Sequence, residues 1–136
     1  MRYLRVGPPK WTGEFITINF YDDYPTDRES GPGPVTKRWM TQSRNWMKAF
    51  LEDIMKCKPE DILWRKGYYE WYMHAKIGEQ WWYFSTGDIR FKTMKSMLVR
   101  TASGPKDYTG GRNQFVQYDD SDFAGALRHI LTPMRI

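Results

Sequence analysis

Acidic side chains are the first residues in this chain that could do chemistry. Asp22 stands beside Asp23, and Asp119 with Asp120 and Asp122. Carboxylate oxygens are what Mg²⁺ selects, so a metal-dependent phosphodiesterase is one activity the sequence admits. The spacing argues against it. No Glu-x-Lys pair follows a carboxylate in the arrangement a nuclease needs, and acids at the start of a helical stretch are accounted for by capping and the helix dipole. Nucleophilic catalysis has less support still. Cys57 is the single cysteine and falls at a core-facing angle of an amphipathic stretch, and neither His74 nor His129 has a Ser or Cys at a suggestive spacing. One cysteine allows no internal disulfide, and two histidines beside it do not make a structural zinc site.

Residues 106–113, KDYTGGRN, place two glycines beside Arg112. Successive backbone N–H groups there could cradle a phosphate, as anion-binding nests do, although the spacing is neither that of a P-loop nor that of a dinucleotide fold. A Gly-Gly turn ahead of a strand is the plainer reading. We therefore expect no cofactor, no metal and no catalytic residue.

Binding chemistry is better represented. The net charge is +5, and residues 37–112 hold fifteen Lys and Arg against eight Asp and Glu, whereas the segments on either side are each slightly acidic. A basic middle is the electrostatic footprint of a protein that meets phosphate backbones or an acidic protein surface. Aromatic residues make up 17% of the chain, and Trp, Tyr and Arg dominate interface hot spots. Eight rings crowd into residues 68–86, YYEWYMHAKIGEQWWYFST, around Gly78.

These residues need elements to position them. Alternation through Tyr69, Trp71, Met73, Ala75 and Ile77 predicts a strand, and Gly78-Glu79 suits a type II′ turn into a second strand. Such a hairpin puts Trp71, Met73, Trp82 and Phe84 on one face and Tyr72, His74, Lys76, Trp81 and Tyr83 on the other. The first set reads as core. The second reads as a surface on which bases could stack and phosphates pair, provided it is open to solvent.

The rest of the chain supplies a frame. Short strands are expected at 2–6 and 14–21. Residues 22–34 read as a flexible acidic Pro/Gly-rich loop, either a contact arm or a crossover. A long amphipathic helix is predicted over 35–58, with Trp39, Ser43, Trp46, Met47, Phe50, Leu51 and Ile54 on its inner stripe and Pro59 as its stop. Its outer face groups Lys37, Arg44 and Lys48. Residues 62–64 suggest another strand. A helical period over 89–102 predicts a second helix showing Lys92, Arg100 and Lys95, and a strand at 114–118 precedes a last helix opening at 119–122.

The expected architecture is a single α+β domain over 1–136, with an antiparallel sheet of about four to six strands centred on the aromatic hairpin and three helices. No apolar run approaches a membrane span and no signal h-region opens the chain, so a cytoplasmic location is expected. The expected function is non-enzymatic: a regulatory or inhibitory protein that docks on a nucleic-acid-processing machine, such as an RNA polymerase or a nuclease complex. The candidate binding residues are Lys37, Arg44, Lys48, Tyr72, His74, Lys76, Trp81, Tyr83, Lys92, Arg100 and Arg112. A single-stranded DNA or RNA-binding module is the alternative, followed by the phosphodiesterase.

Overall fold

The computed structural model describes residues 4–6, 16–18, 20–21, 23–27, 31–90 and 95–132, the side chains of 4–6 and 16–18 excepted. Its architecture is α+β. Strands β1 (Leu4–Val6) and β2 (Ile16–Ile18) form a small antiparallel pair, followed by helix α1 (Pro34–Ala49). Strands β3 (Ile62–Lys66), β4 (Trp71–Ile77), β5 (Gln80–Ser85), β6 (Ser96–Ala102) and β7 (Gln114–Gln117) then form one antiparallel sheet in chain order, and helix α2 (Phe123–Leu131) closes the described chain.

Helix α1 begins at a proline, which needs no intrahelical N–H partner in the first turn. Gly33 at the N-cap offers no side chain, and Asp27 takes over the capping from a distance. Its carboxylate accepts from Val35 N at 2.8 Å, Thr36 N at 2.9 Å and the Thr36 hydroxyl at 2.6 Å. The bond from Thr36, with those two amides, holds the Asp27 carboxyl below its ordinary range. The described part of the 22–34 loop is thereby tied to the helix, and Tyr24 and Pro25 are buried. At the far end the helix widens into one π turn, Phe50–Ile54. Cys57 N donates to Leu51 O at 2.9 Å, with Lys56 held at φ 63° in the left-handed position that ends many helices.

The stripe Trp39, Ser43, Trp46, Met47, Phe50 and Leu51 is buried against the sheet and α2. Phe20 stacks on Tyr118 at 5.3 Å, Trp46 stacks on Phe50 at 5.3 Å, and Phe123 packs among them. From the sheet, Trp71, Met73, Ala75, Trp82, Phe84, Met97, Val99 and Val116 complete this core. The indole of Trp71 donates to Ser43 Oγ at 2.9 Å, a buried bond that fixes α1 across β4.

Two helices are present among the described residues rather than the expected three. In the stretch expected as a helix over 89–102, Ser96–Ala102 forms β6 instead, paired on both sides with β5 and β7. The helical stripe reading relied on Phe91 and Met94, which lie outside the described residues, and it left Met97 and Val99 unplaced. In the strand both point into the core at zero exposure. The unpaired ladder groups of β5 require a neighbour, and that long-range demand outweighs a local period that fits either structure.

Candidate functional site

Strand pairing sorts the expected binding residues onto the sheet face away from α1. With Tyr72 opposite Ser85, His74 opposite Tyr83, Lys76 opposite Trp81 and Tyr83 opposite Arg100, the rings and charges do share a face. That face is not an open stacking platform. Residues 103–113 fold over it, leaving His74 3% and Tyr83 5% exposed. His74 Nε2 donates to the Asp107 carbonyl at 2.8 Å. The Tyr108 ring stands edge-on to His74 at 4.8 Å and to Tyr83 at 5.5 Å. Arg100 lies over the Tyr83 ring at 4.7 Å and donates to Asn113 Oδ1 at 3.0 Å and to the Tyr108 carbonyl. His74, Tyr83 and Arg100 are thus occupied within the fold. Tyr72, Lys76 and Trp81 are half-buried, and burial raises the Tyr72 hydroxyl well above its ordinary range, helped by a bond with Glu70.

The Gly-Gly turn is occupied too. Asp107 accepts from Ser103 N at 2.9 Å, Thr109 N at 3.0 Å and Gly110 N at 2.8 Å. The amides a phosphate would have used already hold a carboxylate of the same loop, and they keep Asp107 far below the usual carboxylate range. Arg112 is exposed beside this turn. Lys92 lies outside the described residues.

Three of the expected cations sit on α1. Lys37 is exposed and Lys48 half-buried, while Arg44 is laid over the Trp64 ring at 4.2 Å. This contact leads to the part of the site that the candidate residues missed. Strand β3 is an edge of the sheet, and its residues Leu63, Trp64, Arg65 and Lys66 are all exposed, Leu63 at 46% and Trp64 at 38%. An apolar residue and a tryptophan left open beside two cations need an explanation, since edge strands are ordinarily protected.

Two hollows flank β3, one on each sheet face. The hollow on the α1 side is about 80 Å³, and Lys37, Arg44 and Lys66 surround Trp64 there. The other is about 100 Å³, where Arg65 and Lys106 stand with Leu63 and Tyr108. Neither is lined by any carboxylate. Among the described residues the one ion pair is Arg90 with Asp88, where Arg90 lies over the Tyr69 ring in the turn after β3. Five cations and three apolar or aromatic groups therefore converge on one edge, and the nearby Glu70 is engaged with the Tyr72 hydroxyl.

Two acids of the 119–122 cluster have structural work. Asp122 accepts from Gly125 N at 3.1 Å as the cap of α2, and Asp120 from Asp122 N at 2.8 Å. No group of three or more metal-ligating side chains occurs among the described residues. Cys57 is buried, and desolvation with nearby Asp61 and Glu52 pushes its thiol up to about 11. No described helix is long and apolar enough to cross a membrane. Comparison with protein-family models, curated proteins and solved structures gives no match, so the functional reading rests on this geometry.

Proposed function

We propose that this is a non-enzymatic binding protein that docks on an acidic protein surface, and that its partner is a nucleic-acid-processing complex whose activity it regulates or inhibits. The observation that supports this reading is the rim around β3, where Lys37, Arg44, Arg65, Lys66 and Lys106 surround exposed Leu63 and Trp64 with no carboxylate in either flanking hollow. Clustered cations raise the rate of encounter with an anionic partner, and the tryptophan with its stacked arginine gives that partner an apolar anchor. A protein partner is favoured over a single strand because the sheet face that would stack bases is covered by residues 103–113.

The test compares partners of matched charge. Affinity of the full chain is measured for poly-glutamate, single-stranded DNA and duplex DNA across a salt series. Capture from nuclease-treated lysate is run in parallel with wild type and with the Arg44→Glu/Arg65→Glu pair. The proposal expects a nucleic-acid enzyme or its complex to be retained by wild type and lost by the pair, with DNA no tighter than poly-glutamate. Tighter DNA binding whose log-log salt slope approaches −0.9 per contacted phosphate, with no such complex captured, would replace it with direct nucleic-acid binding.

A further inference from the structure

The open edge of β3 has a main-chain register that can be worked out. Gly67 N donates to Glu70 O at 2.7 Å across the Tyr68-Tyr69 connection, so Gly67 and Glu70 form a hydrogen-bonded pair. In an antiparallel ladder such pairs alternate with non-bonded ones. With Lys66 opposite Trp71 and Arg65 opposite Tyr72, the residues whose N–H and C=O turn toward β4 are Arg65 and Leu63. Trp64 and Lys66 turn theirs outward, as does Ile62, whose N–H is already taken by Pro59 O. No described strand pairs with that edge.

The side chains complete the pattern. Successive residues of a strand laid beside β3 would point alternately to the two sheet faces. One set would enter the hollow of Lys37, Arg44 and Lys66 on the α1 side, the other the hollow of Arg65 and Lys106. Both hollows are cationic with an apolar floor, Trp64 in one and Leu63 in the other.

The geometry points to β-strand addition: β3 takes an extended acidic segment of a protein partner as a sixth strand, with main-chain bonds to Trp64 and Lys66 and carboxylates received on both faces. This inference rests on the docking function proposed above and specifies how the docking is made. A second copy of the chain is a poorer occupant: paired antiparallel about Trp64 it would set Lys66 opposite Ile62 and Arg65 opposite Leu63, so neither hollow would receive a carboxylate and two sets of cations would share one seam. Charge complementarity selects an acidic strand, and the alternating hollows select an extended one over a helix.

The experiment uses the full chain labelled with ¹⁵N and an eight-residue peptide alternating aspartate with valine, beside poly-glutamate as a probe without strand preference. Amide exchange is followed with and without peptide. Strand addition predicts at least about fivefold slower exchange at Trp64 and Lys66 in the bound state, with little change at Leu63 and Arg65, whose amides already face β4, and at Ile62, whose amide already donates to Pro59 O. Lys66→Pro, which removes an outward N–H at an edge where proline is tolerated, should weaken peptide binding about 3- to 10-fold beyond Lys66→Ala. Binding of both probes without protection at these two amides overturns strand addition and leaves acidic docking standing. Failure of both probes to bind at low salt overturns docking and strand addition together. Concentration-dependent protection without peptide also overturns the inference, because the occupant is then a second copy.

Discussion

Replacing Ser43 tests how the basic rim is held in place. Ser43 is fully buried on the inner side of α1, where its hydroxyl accepts from Trp71 Nε1 at 2.9 Å and donates to Met40 O at 3.2 Å. Arg44, the next residue, reaches the Trp64 ring. One residue anchors the helix to β4 while its neighbour forms the rim over β3. Ser43→Ala leaves the indole N–H of Trp71 buried without this acceptor, at a cost of about 1–3 kcal/mol. Alanine regains about 0.5 kcal/mol of helix propensity. The net loss should be about 0.5–2.5 kcal/mol. Trp71→Phe removes the donor and part of a buried ring, costing about 1–3 kcal/mol by analogy with other core truncations. Because both changes break one bond, the double variant should be less destabilised than the sum by about 1 kcal/mol. Urea unfolding with a shared m-value measures all three. A Ser43→Ala change within 0.3 kcal/mol of wild type, or strict additivity in the cycle, would refute this bond as the tie between helix and sheet.

Two further outcomes follow from titrating groups. Asp107, Asp27 and Asp88 all ionise below the ordinary carboxylate range, the first through backbone amides, the second chiefly through Thr36 and the third through Arg90. A carboxyl whose folded pKa is depressed contributes stability that is fully present above its unfolded value and is lost as pH falls through the folded one. Thermal melts should therefore be flat with respect to these groups above about pH 5 and fall progressively below about pH 4. Asp107→Asn should flatten that acid limb, and an unchanged limb would contradict its assigned role. Cys57, with its thiol pushed up to about 11, should be inert to a thiol reagent at pH 8 in the folded protein and react promptly in denaturant. Rapid labelling of the native state would place it outside the core.

The sequence made the inner surfaces legible and the outer ones obscure, for a physical reason. Helix α1 can be read because burial imposes a period on Trp39, Ser43, Trp46, Met47, Phe50 and Leu51, and because Pro59 marks where it must have ended. The inward positions Trp71, Met73, Trp82 and Phe84 can be read for the same reason, as period-two alternation against a core. Strand β6 could not be read so. Its residues fit two periods, and the choice is made by β5 and β7, which lie elsewhere in the sequence. The cover over His74 and Tyr83 depends on where residues 103–113 come to rest, and no local pattern announces that. Leu63 to Lys66 were visible as an apolar pair followed by two cations, yet their meaning depends on β3 being an edge, which only the strand order reveals.

Charge reversal at two distant places tests the central claim most directly. Arg65→Glu changes the rim of β3, whereas Arg128→Glu changes an exposed cation on α2, an element packed toward the opposite end of the sheet. Both variants carry the same net charge. Affinity for poly-glutamate at 50 mM and 500 mM salt then separates a site from a diffuse basic surface. A localised rim predicts that Arg65→Glu weakens binding about 3- to 10-fold at the lower salt, with the difference shrinking at the higher, while Arg128→Glu stays within twofold of wild type. Equal losses from the two variants would contradict the account, because attraction would then follow net charge and not the site at β3.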